Sequence, residues 1–285
     1  MANHAVNLRR ESEVRWMKRQ FIDSSIGQLH ARTHDGGDGV PLLMLHAAPG
    51  SALMLSALQE RMTTTTLAFD LPGMGDSVAL GAMNRESTIA DFTAPIAEVV
   101  ATMWPSGFDV YGTLSGARVA LELANQKGTR VRRLVLDGIG IPKAEQLPEL
   151  IARYAPTFVP DINGTHLTST FLLCRDQYLF YPWYARDAEH RRPTGLPSAE
   201  ALHQKTMESL KSAAAFGPLI RAAFQYDVEG AMRSLQQKAL VSADGAAIRP
   251  DFEVLEFPPA EPLTCDATLL GQRAQRINAF LSSPA

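Results

Sequence analysis

The sequence predicts an α/β fold: a mostly parallel, doubly wound sheet with a helical cap inserted into it. Two observations carry this. Short apolar runs alternate with helical stretches from residue 41 to 142, the rhythm of a parallel sheet covered on both faces. That rhythm stops near Pro142, and residues 143–230 hold helix formers, prolines and aromatics but no convincing parallel strand.

The elements follow in order. Residues 1–18 are charged and read as an N-terminal arm. Gln20-Phe-Ile-Asp23 and Gly27–Thr33 read as two short strands joined by a turn at Ser24-Ser25. Glycines make His34–Gly39 a loop. Pro41–His46 is a short continuous apolar run, as a buried parallel strand requires. Thr64–Asp70, rich in β-branched residues, is another. Phe108–Tyr111, Arg133–Asp137, Ala239–Asp244 and Glu253–Phe257 complete the strands. Helices are expected over 52–61, 87–103, 116–127 and 267–282. The expected division is therefore an arm at 1–18, a core at 19–142 and 231–285, and a helical cap at 143–230.

Composition narrows the function classes. A chain of 285 residues is long enough for one large α/β domain and an inserted subdomain. Its formal net charge is -3, and no long basic run argues for nucleic acid. No apolar stretch approaches the roughly 20 residues of a membrane span, and the N-terminus lacks the apolar centre of a signal peptide. The expectation is a cytoplasmic protein, monomer or homodimer, with Cys174 and Cys265 as free thiols. No metal, nucleotide or flavin motif is present, so no cofactor is expected and the partner is a small molecule.

The most informative segment is Phe108–Ala117, which reads as a strand, a tight turn and the start of a helix. This is the layout of a nucleophile elbow, G-x-Nuc-x-G, with Gly112 and Gly116 as its small residues. Its centre is Leu114, which cannot attack anything. A register slipped by one residue puts Ser115 at the apex, flanked by Thr113 and Ala117.

Two further motifs precede the elbow. His46-Ala-Ala-Pro-Gly-Ser51 is similar to an H-G-x-P-G oxyanion loop, and Phe69–Ser77 to a D-x-P-G-x-G-x-S loop. With the elbow and its helix Arg118–Ala124, the chain resembles the α/β-hydrolase superfamily, specifically capped bacterial members whose elbow lacks the usual serine. The resemblance covers nearly everything beyond the arm.

The resemblance implies a Ser–acid–His triad in chain order. At the acid, Leu240–Pro250 resembles the strand and loop of G-x-x-D-P; this alignment puts Ala246 at the acid and Asp244 two residues early. Asp137 is a second possible acid, or a turn residue before Gly138. The histidine is expected near Pro258–Cys265, yet no histidine follows His203. The triad therefore reads as degenerate. The implied oxyanion donors are the N–H groups of Ala48 and Ser115, with Ala47 beside them and His46 packed beneath the loop. The start of the helix adds partial positive charge.

In the cap, His166 is the candidate general acid or base, with a helix-capping role as its alternative. Tyr178 and Trp183 lie in an aromatic cluster that forms either a substrate box or the cap's own core. Arg221 and Asp227 are placed to pair, and His30, His34, His190 and His203 read as peripheral. Three functions remain open. The first is an enzyme acting on a small carbonyl- or carboxylate-bearing molecule by non-covalent hydrolytic, lyase or isomerase chemistry. The second is a pseudoenzyme that binds or regulates. The third is a serine hydrolase using Ser115 with a histidine from the cap.

Overall fold

A computed structural model describes residues 17–81, 83–84, 86–257 and 266–283. Eight strands form one sheet: β1 (Lys18–Ser24), β2 (Gly27–His34), β3 (Leu42–Leu45), β4 (Thr66–Phe69), β5 (Phe108–Thr113), β6 (Val131–Asp137), β7 (Lys238–Val241) and β8 (Glu253–Val254). Their spatial order is β1-β2-β4-β3-β5-β6-β7-β8. The first two pairings are antiparallel and the others parallel. β3 sits centrally between β4 and β5, so its four residues are all buried.

Strand alternation sorts the core into two layers. Leu43, Leu45, Val110, Leu134 and Leu136 face one side. They meet α2 (Ile89–Met103) and α3 (Ser115–Asn125) through Phe92, Ile96, Ala117 and Leu121. Leu42, Met44, Tyr111 and Val135 face the other. They meet α1 (Ser56–Gln59) and α10 (Ala267–Ser282) through Leu58, Leu270, Ile277 and Phe280. Each such fully buried side chain contributes about 1.5–3 kcal/mol. The helix α2 starts at a reciprocal cap between Thr88 and Asp91, which satisfies two otherwise orphaned N–H groups.

Between β6 and β7 the chain makes α4 (Leu147–Arg153), α5 (Thr165–Leu179), α6 (Ala199–Lys211), α7 (Ala213–Gln225) and α8 (Val228–Ser234). This insertion has its own apolar cluster of Phe158, Leu173, Cys174, Leu202, Phe216 and Ile220. Tyr178, Trp183 and Ala48 pack against it. The junction of α6 and α7 is docked on the loop after β3: the Ser212 hydroxyl donates to Gly50 O at 2.8 Å and accepts from Gly50 N at 3.2 Å.

Several expectations need correction. The run Ala239–Asp244 is a strand only to Val241; Ala243–Ile248 coils into a short helix, α9. Here Ser242 turns its hydroxyl to Ile139 N, which bends the chain out of the sheet. The last strand is just Glu253–Val254, not Glu253–Phe257. The helix expected over 52–61 is a 3-10 turn, Ala52–Leu55, followed by the four residues of α1. Residues 1–16, which hold most of the expected arm, and residues 258–265, where the family places its histidine and where Cys265 lies, fall outside the described residues.

Candidate functional site

The elbow is built by close approach. Gly112 ends β5 against α3, where a Cβ would lie 2.4 Å from Gly116 O. A Cβ on Gly116 would lie 2.4 Å from Leu45 O. Only glycine fits either place, so the turn between them is fixed in register. Leu114 takes that turn with φ 52° and ψ -112°, and among the described residues it is the non-glycine with positive φ. Such a backbone costs of the order of 1–3 kcal/mol. Leu114 N–H donates to Asp137 O at 2.8 Å, which ties the apex to the end of β6. Ser115 is the first residue of α3, and it is buried. The slipped register is not the geometry adopted.

The Ser115 hydroxyl is already engaged: it accepts the Ala48 N–H at 2.8 Å. The loop that the resemblance assigns to oxyanion binding therefore closes on the elbow through this serine. His46 sits fully buried beneath it. Leu71 N–H donates to its Nε2 at 3.0 Å, so its proton is on Nδ1, which donates to Ala47 O at 2.8 Å. Burial pushes its pKa below the ordinary imidazole range, opposed by Asp70. It is a neutral strut with both nitrogens in use.

Asp137 ends β6 beneath the apex, but its carboxylate points at other partners. Its Oδ2 accepts from the Tyr111 hydroxyl at 2.8 Å and from Arg273 Nη1 of α10. Burial raises its pKa, while Arg273 and Tyr111 pull it down. Its Oδ2 is thus held by a guanidinium and a phenol, while its Oδ1 is buried without a hydrogen-bond partner among the described residues. Asp244 lies exposed in the first turn of α9, on the side of Gly140.

His166 belongs to the insertion alone. It stands in the first turn of α5, where its Nδ1 lies 3.2 Å from Asp161 N and 3.3 Å from Asp161 Oδ2. It lines a cleft of about 450 Å³ together with Phe158, Trp183 and Arg186. Every residue lining that cleft lies between 156 and 186, so the structure does not bring His166 to Leu114. Tyr178 stacks under the Lys205 ammonium at 4.8 Å. Trp183 donates its Nε1–H to Tyr154 O at 2.8 Å. Both build the insertion's own core.

His30 corrects the expectation of a peripheral residue. It is buried, donates from Nδ1 to Asp70 Oδ2 at 2.8 Å and accepts at Nε2 from Arg19 at 3.2 Å. Asp70 also accepts from Ala52 N and Asp76 N. His30, Asp70 and Asp76 have their ligating atoms within 4.8 Å of one another. Their lone pairs are taken by these donors, with Arg19 and Lys211 on Asp76, which makes the cluster a brace for the loop after β4 rather than a metal cage. Asp227, expected to pair with Arg221, instead caps α8 through Gly230 N.

The residue that sequence reasoning passed over is Arg118. It lies one turn along α3 from Leu114, with 7% of its surface exposed. It donates to Ala223 O at 2.9 Å, Leu114 O at 3.2 Å and Gly140 O at 2.6 Å. Its signal was present: an arginine inside a helix whose other early residues are small or apolar. Among the described residues no helix is long and apolar enough to cross a membrane.

Comparison with known proteins fits this geometry. Residues 42–264 match the model of the alpha/beta hydrolase family. Among solved structures, the chain is similar to a thermophilic esterase from Thermogutta terrifontis, with 19% identity over 93% of this chain and 98% of that one, TM-score 0.63. It is similar to E-2-(acetamidomethylene)succinate hydrolase, with 18% identity over 94% and 100%, TM-score 0.65. A third is the enol-lactonase from Burkholderia xenovorans LB400, with 15% identity over 93% and 100%, TM-score 0.67. At these identities the likeness is one of fold. The matched stretch runs from β3 to the approach to α10 and takes in the elbow, and on that ground the chain belongs to the alpha/beta hydrolase family.

Proposed function

We propose that this protein is a hydrolase-class enzyme that acts on a small ester- or lactone-type carbonyl compound without forming an acyl-enzyme. The observation that carries the reading is Leu114 at the strained apex of an otherwise complete elbow. Covalent catalysis needs a nucleophile at that point and a base within reach. Leucine supplies no nucleophile, and Ser115 beside it spends its hydroxyl on Ala48 N–H. No histidine follows His203 in the chain. What remains is the set of backbone N–H groups at the start of α3, suited to polarising a carbonyl. The substrate class draws support from the family and from the similar esterase, lactonase and succinate-derivative hydrolase. In this reading a water oxygen adds to the carbonyl carbon, the ester C–O bond then breaks, and a proton from that water passes to the departing alkoxide, giving an acid and an alcohol. Residues 143–230 act as a cap over the elbow, and no cofactor takes part.

A second reading, a receptor that binds such a compound unchanged, is favoured by one observation: both His46 nitrogens are committed to backbone groups. One experiment separates the readings. The protein is assayed against small esters and lactones, and separately treated with a fluorophosphonate and weighed intact. Turnover without a burst and without an adduct supports the enzyme. A ligand that binds and is recovered unchanged favours the receptor. A stoichiometric adduct on Ser115 overturns both.

A further inference from the structure

Arg118 is a buried cation that has no counter-ion among the described residues. Among the described residues no carboxylate lies within 4.0 Å of it. Arg133 is likewise buried on backbone carbonyls, those of Leu281 and Ser283, whereas other buried charges are paired. Asp137 has Arg273, Asp176 has Arg175 and Arg186, and Asp70 has His30. Burying an unpaired ion costs several kcal/mol, and burial here pushes the guanidinium down to about 10.

Three backbone carbonyls hold the group, and they come from three places: the elbow apex, the turn after β6 and α7 of the insertion. They orient the guanidinium without neutralising it. A guanidinium has five N–H donors, and the three bonds leave two for another partner. Burial pushes the group down most, and the phenols of Tyr181 and Tyr154 oppose it. Tyr181 is itself influenced by Arg192. Tyr181 is 49% exposed while Arg118 is 7% exposed, and the bond to Ala223 O places Arg118 where α7 of the insertion meets the core. The start of α3, with its partial positive charge, lies one turn away. Two positive features thus lie together where the insertion meets the core.

We propose that Arg118 is the recognition group for a carboxylate carried by the small molecule that binds over the elbow. The proposal rests on the reading that this space holds a carbonyl compound, and it narrows the class to organic acids bearing an ester or lactone group. Arginine suits this task because its planar fork pairs with both oxygens of a carboxylate.

The test compares monomethyl succinate, which carries one ester and one carboxylate, with dimethyl succinate, which lacks the charge. Binding of each is measured by calorimetry on wild type, Arg118→Gln and Arg118→Lys. Wild type is expected to prefer the monoester by at least about tenfold. Arg118→Gln is expected to bring the two affinities within about twofold, and Arg118→Lys to keep part of the preference. Because Arg118 also bridges the insertion to the core, a variant can fail to fold. Wild-type protein is therefore modified with phenylglyoxal and mapped by mass. Monomethyl succinate is expected to protect Arg118, and dimethyl succinate not to. Equal affinity of wild type for the two esters, or an Arg118 that neither ester protects, overturns the assignment while leaving the pocket reading intact. Failure of both esters to bind overturns the pocket reading and the assignment together.

Discussion

The Ser115 hydroxyl and the Ala48 N–H are joined by a hydrogen bond of 2.8 Å that links the elbow to the loop after β3. An oxygen already sits on the donor that, in the family's pattern, receives a substrate oxygen. Ser115 therefore holds the loop in place, and Ser212 holds the same loop from the other side through Gly50. Replacing Ser115 by alanine strands a partly buried N–H, at a cost of about 1–3 kcal/mol. We expect Ser115→Ala to melt a few degrees lower in calorimetry, while its intact mass after fluorophosphonate treatment stays as unmodified as that of wild type. Selective loss of labelling in the variant would make Ser115 a nucleophile.

Leu114 and the missing histidine make a joint prediction. Leu114→Ser restores a hydroxyl at the turn, whose backbone already has the required φ of 52°. The variant still lacks a committed imidazole, since His46 is tied at both nitrogens and His166 lies in a cleft made of residues 156–186. We expect no burst of product in stopped-flow assays with p-nitrophenyl acetate and only substoichiometric labelling by fluorophosphonate. Full labelling would reveal a base in reach of the apex.

Sequence alone carried the α/β reading because its signals are local. The continuous apolar run of β3 and the Gly112/Gly116 spacing each say what the backbone must do nearby. The site was less legible because its partners are distant. Nothing near Asp137 in sequence announces Arg273, and nothing near His30 announces Asp70. The helix α9 escaped notice because Ala243–Ile248 is six residues long and carries Asp244 and Gly245, too short a stretch to show a helical period. Arg118 was overlooked for a different reason: a charge within a helix reads as solvent-facing until the packing on every side is known.

The pair Asp137–Arg273 carries α10 onto the sheet. Both residues are buried, and the Tyr111 hydroxyl completes the cluster. Removing one member leaves a lone charge in the interior, which costs about 3–5 kcal/mol. Arg273→Met is thus expected to lose most of the protein's stability to urea. Asn at 137 in the same chain removes the stranded carboxylate, so the double variant should recover part of that loss. A double variant no better than Arg273→Met would mean that the two residues are not coupled in this way.

Asp109 gives a pH dependence that stands apart from the elbow, at the opposite end of β5. It is 2% exposed, and its Oδ1 has no hydrogen-bond partner. Burial pushes the carboxyl up to about 6, against the pull of Arg132 and Arg133. An unfolded aspartate titrates near 3.9. The fold therefore prefers the protonated form, and the stability this brings is complete below about pH 4 and is lost as pH rises through about 6. Asparagine mimics the protonated acid at every pH. Asp109→Asn should match wild type in urea unfolding at pH 4 and exceed it at pH 8, by on the order of 1–3 kcal/mol. Equal stabilities at pH 8 would show that the carboxylate finds solvent or a cation once ionised.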